Sequence, residues 1–491
     1  MNSVAVRIGR VVLFIAAALL LADAASAQAI FDITQYGAKP NSSEPVTNAF
    51  ARAIGAAKAA GGGTVYVPAG HYISGPIELV SHLRLEFGPG SVVEFPARKL
   101  PLTWGRQQGV ETLTPVPLIG GHDLQDVTIT GTGTLVSSNA DWMKLHPREL
   151  GEANHAVSNE YATGKQVGDV GSANGANWER LLADLEAHKT VPRAEYEAAG
   201  EELRPSFVRL MNSERVLIED VHFEGSPMWT VHLLYTEWAT VRNVVIETYP
   251  GVHTDGIVVD SSRFVHLTDD YIDTGDDGIV IKSGKDADGL RVNRPTEDVT
   301  ITGCTVHHAH GAVTIGSETS GSVRNIVAAN ITAVDTEAGI RIKSRRGRGG
   351  VVSDLRFSNW TMQNVGRAIE VTNFYRMEGE KPNLDEAEPV NAGTPHFRDI
   401  AINGVTVDGA KELVVIDGLP ESPIDGLRLT DVVGSGKAGL VASYATNLQL
   451  SGVELNVEHG APFRFSHTPD LVLDRVTSRR HPVDAQVIER R

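Results

Sequence analysis

Cysteine is almost absent. Cys304 is the only one in 491 residues, so no disulfide can form within the chain and a disulfide scaffold is excluded. Positive charge is also scarce: 44 Lys and Arg stand against 61 Asp and Glu, a net charge of −17. That balance argues against general nucleic-acid binding, which needs a basic footprint. Long apolar runs are confined to the N-terminus, where Arg7 and Arg10 precede Val11 to Leu21 and then Ala25-Ser26-Ala27. The run is too short for a hydrocarbon core that takes about 20 residues. Basic start, apolar centre and small-residue end are the order of a secretory signal peptide, here residues 1–27. A secreted protein, periplasmic or extracellular and off the membrane after cleavage, is expected. Hydrophobic content of 41% with 49 glycines is ordinary for a globular chain and excludes bulk disorder.

The remaining sequence repeats. A helix is expected from about Val46 to Ala60, with Ala49, Ala53, Ile54 and Ala57 on one stripe and Gly61-Gly62-Gly63 as its stop. Thr64 to Gly70 reads as a short strand and turn, and the helix ahead of it suits a cap over an open sheet end. From residue 216, turn-type residues followed by apolar ones recur as Asp220-Val221, Asn243-Val244, Asp270-Tyr271, Gly303-Cys304, Asn330-Ile331, Asn359-Trp360, Gly404-Val405, Asp431-Val432, Gly452-Val453 and Arg475-Val476, at intervals of 21 to 45 residues. Asp, Asn and Gly are the residues that tolerate turn geometry, and short strands at such a period mean a solenoid. A β-sandwich also has closely spaced strands, but it needs no set of ten equivalent turns. The fold class expected is all-β, a right-handed parallel β-helix (pectin-lyase-like solenoid) with an N-terminal capping helix, forming one domain over residues 28–491. Residues 139–205 break the pattern, with Trp178–His188 and Ala194–Leu203 helical, and read as a partly helical inserted excursion that walls a groove. Residues 284–296 and 375–396 read as loops between rungs.

The chemistry-bearing residues fall one rung apart. Val252-His253-Thr254-Asp255-Gly256 is followed by Gly275-Asp276-Asp277-Gly278, with Asp255 and Asp276 21 residues apart, so Asp255 should stack beside the Asp276/Asp277 pair. Three close carboxylates cannot all ionise cheaply, and repulsion raises the pKa of at least one. A protonated acid beside ionised bases is what glycosidic hydrolysis requires. Asp-Asp-Gly is by itself more often a solvated turn. Two further rungs strengthen the reading, His307-His308-Ala309-His310-Gly311 and then Gly339-Ile340-Arg341-Ile342-Lys343. Arg341 and Lys343, at i and i+2, project from one strand face and would meet an anion such as a uronate carboxylate, or else the protein's own acids. His307 and His308 point to opposite strand faces, and His308 with His310 is a thin ligand set, so no metal is expected.

These residues resemble the polygalacturonases and related pectin hydrolases, family 28 of the glycoside hydrolases. The likeness runs through Tyr36-Gly37-Ala38, Arg204-Pro205, Ser226-Pro227 with Trp229 and His232, Thr254-Asp255-Gly256, Gly275-Asp276-Asp277, His310-Gly311, Ile315-Gly316-Ser317-Glu318 and Arg341-Ile342-Lys343, in the family's order. It implies Asp276 as general acid, Asp255 and Asp277 as the pair that activates water, and His310 as the residue tuning the acid. It also implies Arg341 and Lys343 as the carboxylate-binding pair, inversion at the anomeric carbon, and no cofactor. Tyr375 is similar to a later active-site tyrosine. Lys282 opens a loop (Lys282-Ser283-Gly284-Lys285-Asp286) like that of the bacterial and plant branch, and counts with His253 among the substrate-contacting positions. The family usually has Asn where this chain has His253, and Gly where it has Ala309.

The leading expectation is therefore a secreted hydrolase of pectic polysaccharide or oligogalacturonide, exo-acting because the long loop and the 139–205 excursion would close one end of the groove. A pectate lyase-type eliminating enzyme, a rhamnogalacturonan-type hydrolase and a non-catalytic polysaccharide-binding solenoid remain as alternatives.

Overall fold

The structure, a computed structural model, describes residues 29–145, 175–375 and 386–479. The expected signal peptide, most of the polar stretch from Gly164, and residues 376–385 of the 375–396 loop lie outside the described residues.

Helix Thr47–Ala59 starts the architecture. Its apolar stripe of Ala49, Phe50, Ala53, Ile54 and Ala57 is buried on the first rungs, as expected of a cap. Every later rung adds short strands that pair in parallel with those of the previous rung. Strand Val208–Met211 pairs with Val231–Leu234, that with Ile257–Asp260, then Ile279–Lys282, Val313–Gly316 and Ala338–Lys343. The result is a right-handed parallel β-helix. Alternation along each strand separates core from surface. Inward, Val208, Val231, Ile257, Ile279, Val313 and Ile340 stack in one column, none of them accessible to solvent. Each such side chain contributes about 1.5–3 kcal/mol when removed from water. β-Branched residues suit this column because their stiff rotamers pack on a pleated surface.

The expected turn positions are real, with one correction. Asp220, Asn243, Gly303, Asn330, Asn359, Gly404, Asp431, Gly452 and Arg475 all have left-handed backbone, φ between 50° and 72°. In the third of these rungs the left-handed residue is Asp269, φ 59°, not Asp270. Asp270 occupies the inward position that Val244 and Cys304 fill in adjacent rungs, and it is 1% exposed. The Val244 N–H donates to it at 3.1 Å. The slip arises because a carboxylate stands where the pattern demands an apolar side chain.

The stack also begins earlier than the repeat suggested. Strand Gln125–Gly131 pairs with Leu83–Phe87 on one side and with Glu214–Glu219 on the other, so an excursion separates consecutive rungs. Its helices, Ala176–Glu186 and Arg193–Gly200, bury Trp178, Leu181, Ala199 and Leu203 against Val110. Val110 belongs to an antiparallel hairpin, Leu102–Gln107 with Val110–Pro115, which the sequence reading had not anticipated. The helices thus back a hairpin lying across the stack.

Candidate active site

The acids of the two rungs meet. The turn before Ile257–Asp260 carries Asp255, and the turn before Ile279–Lys282 carries Asp276 and Asp277. Because Gly256 N–H donates to the Asp277 carbonyl at 3.0 Å, the two turns are in register. One oxygen from each of the three carboxylates lies within 4.8 Å of the others. Asp255 and Asp277 are each 2% exposed, while the Asp276 side chain keeps 18%. Asp276 is the acid nearest to solvent.

Each acid has a different set of neighbours. Asp277 accepts from Thr314 Oγ1 at 2.8 Å and from Lys343 Nζ at 3.0 Å, with Arg341 Nη1 at 3.9 Å. Asp276 lies 3.2 Å from His310 Nδ1. His310 N–H donates to the Asp276 carbonyl, so the histidine sits one rung directly beyond the acid. Among the described residues Asp255 pairs with Lys282 alone, at 3.7 Å, and that ammonium donates to Glu318 at 3.1 Å.

These neighbours decide where protons reside. Burial, with Asp276 adding repulsion, holds the Asp255 carboxyl well above the ordinary range. Burial pushes Asp276 in the same direction, but the charge and hydrogen bond of His310 outweigh it and hold Asp276 below that range. Burial disfavours the imidazolium of His310, yet Glu337 and Asp276 more than offset this and push it up to about 10. The acid with the raised pKa is therefore Asp255, the most isolated from cations, while the proton beside Asp276 rests on His310.

The cationic pair is also where the sequence placed it. Arg341 and Lys343 project from one face of Ala338–Lys343. Arg341 Nε donates to Glu370 at 2.9 Å, and the Tyr375 ring lies 5.7 Å from Arg341 and 4.9 Å from Lys343. Gly316 stands beside Lys343 in register. A Cβ there would fall 2.1 Å from the Lys343 carbonyl, so only glycine permits the approach. His253 is held in left-handed backbone, φ 54°, with its Nδ1 3.2 Å from Arg204. All nine candidate residues therefore belong to one neighbourhood along the same face of the stack. His308, by contrast, is tied to Asp273 at 2.8 Å and stacks on Tyr249.

Sequence reasoning missed four participants. Glu318 was quoted inside a motif without a role. Yet Lys282 holds it down to about 2 despite its burial, and it neutralises the one cation near Asp255. Glu337 and Glu370 balance His310 and Arg341, but isolated single acids carry no motif. Trp229 lies under the Lys282 ammonium at 5.0 Å; it too was quoted only as part of a motif.

The hairpin packs beside this site. Arg106, inaccessible to solvent, donates to Asp260 and Ser261, each at 2.7 Å. The hairpin tip packs on the site's rim, where Lys285 N–H donates to the Gly109 carbonyl at 2.9 Å. Trp104 meets Tyr196 of the excursion edge to face at 5.2 Å.

Comparison with known proteins agrees with this geometry. The sequence profile of glycosyl hydrolases family 28 matches residues 109–448. A second, "Rhamnogalacturonase A/epimerase, pectate lyase-like", matches residues 30–88. A probable polygalacturonase of Vitis vinifera is 27% identical over 76% of this chain and 67% of its own. An exo-poly-alpha-D-galacturonosidase of Dickeya chrysanthemi is 24% identical over 91% and 75%. Among solved structures, a Thermotoga maritima exopolygalacturonase superposes with a TM-score of 0.71 at 26% identity, covering 91% of this chain and 92% of that one. A Yersinia enterocolitica family 28 exopolygalacturonase shares the fold, with a TM-score of 0.70 at 20% identity over 91% and 78%.

Proposed function

The chain belongs to family 28 of the glycosyl hydrolases, and from that premise we propose that it hydrolyses α-linked galacturonate chains of pectin from their ends, with inversion. The observation that carries the reading is the meeting of Asp255, Asp276 and Asp277 beside the Arg341/Lys343 pair. Acid, base and a uronate anchor then share one cleft.

In this reading the galacturonate carboxylate docks on Arg341 and Lys343, whose planar fork and point charge suit it. Tyr375 and His253 border the sugar. Asp276, the most accessible of the acids, faces the glycosidic oxygen and delivers the proton that His310 stores 3.2 Å away. Asp277 takes a proton from the attacking water, and Asp255, protonated, donates a hydrogen bond that fixes it. Carboxyl groups of inverting enzymes commonly stand about 6.5–9.5 Å apart to leave room for water. The oxygens here are closer, within 4.8 Å. A third carboxylate accounts for the difference, since two acids can grip one water from both sides. Attack from chain ends is supported by the similar Dickeya protein, which is named as an exo-acting enzyme, and by the hairpin and helices packed beside the site.

The family relatives act on pectin, and no described helix is long and apolar enough to cross a membrane. Export through the N-terminal segment fits both. Chromatography of the first products from polygalacturonate tests the reading. Saturated galacturonic acid monomer is expected; an unsaturated, ultraviolet-absorbing product would mean elimination, and a ladder of oligomers would mean internal cleavage. Preference for rhamnogalacturonan would move the protein to a different pectic substrate.

A further inference from the structure

Away from the catalytic acids, the hairpin covers a second set of charged groups that the reaction does not use. Arg209, one register step from His232 on the outer face of the stack, is 1% exposed. Its Nη1 donates to Thr114 Oγ1 at 2.5 Å, and its Nη2 has no hydrogen-bond partner. No carboxylate among the described residues forms an ion pair with it. Asp260, beside His232 at 3.6 Å, is already taken by Arg106 at 2.7 Å. Burial pushes Arg209 down only to about 10, so it stays charged at neutral pH. His232 is fully buried too, and burial lowers its pKa, which favours the neutral ring beside the guanidinium.

A buried cation without a partner costs several kcal/mol. Water could satisfy the Nη2 donor but would leave the charge. Thr112, paired with Gly105 across the hairpin, carries a buried hydroxyl that also has no partner. Gly105 seats the hairpin on the guanidinium so closely that a Cβ there would lie 2.8 Å from Nη1.

We propose that Arg209 Nη2 binds a single small inorganic anion of the chloride class beneath the hairpin. The ion balances the Arg209 charge and pins the hairpin on the stack beside the site. It is a structural ion, remote from the reacting sugar, and its binding does not depend on the substrate proposed above.

The test compares the full-length mature protein in sodium gluconate and in sodium chloride at equal ionic strength, and locates bromide by anomalous diffraction in a crystal grown with it. Chloride should raise the Tm by a few degrees, saturably, and bromide should appear beside Arg209 Nη2. Arg209→Met, which replaces the charge by an apolar chain of similar reach, should melt at the same temperature in both salts. Equal melting of the wild type in the two salts, a water with no anomalous signal at Nη2, or an undiminished chloride response in Arg209→Met would each overturn the proposal. Should that variant not fold, the bromide position in the wild type decides alone.

Discussion

Lys282 lies between two carboxylates, 3.1 Å from Glu318 and 3.7 Å from Asp255, and the nearer one neutralises it. Glu318 therefore keeps Asp255 from receiving the full benefit of its only cation, and Asp255 holds its proton. Glu318→Gln would leave Asp255 as the sole carboxylate paired with Lys282, and its pKa would fall. The limb of the pH–rate profile that belongs to Asp255 should move to lower pH, with the change mainly in kcat. An unchanged profile would show that Glu318 is only a packing residue.

His310 and Asp276 form the proton store. Because His310 is raised to about 10, the store is full at neutral pH and empties only in alkali. His310→Asn should lower kcat by about 10²–10⁴-fold, the usual scale for acid–base assistance, while leaving KM within a few-fold. Steady-state kinetics across pH would show this. A variant with wild-type kcat would remove His310 from the proton path.

Arg341 sets substrate charge recognition. A hydrogen bond to a charged group is worth about 1.5–3 kcal/mol, so Arg341→Gln should raise KM for polygalacturonate about 10- to 100-fold. Methyl-esterified substrate, lacking the carboxylate, should bind the wild type and the variant alike. Equal loss on both substrates would mean that Arg341 supports the fold and not the anion.

Asp270 ties stability to pH. Burial raises it to about 8, above the roughly 3.9 of an unfolded aspartate, so the folded state binds this proton more tightly. The contribution is full below about pH 4 and is lost as pH rises towards 8. Asp270→Asn keeps an acceptor for Val244 N–H without the charge. Its Tm should fall less than the wild type's between pH 5 and 8; parallel curves would contradict the assignment.

The same residue marks how far the sequence could be read. Left-handed turns announce themselves because Asp, Asn and Gly alone tolerate them cheaply, so eight of ten were found by residue type. Asp270 misled the count because its burial depends on neighbours in adjacent rungs, which no local pattern reports. The acidic trio was legible because one rung spans about twenty residues and both turns carry Asp-Gly pairs. The hairpin was not, since Thr103, Arg106, Gln107, Thr112 and Thr114 look like an exposed loop until Arg209 and Asp260 are placed beneath it. Glu318 stood in view within Gly316-Ser317-Glu318, but its function exists only across the fold, against Lys282.

Asp276→Asn offers the most direct measurement, with turnover of polygalacturonate followed by reducing-end release and affinity by calorimetry on the same samples. The carboxamide preserves shape and cannot donate the proton. The account predicts a loss of several orders of magnitude in kcat with affinity nearly intact. Turnover close to that of the wild type would contradict the assignment of the acidic trio as the catalytic centre.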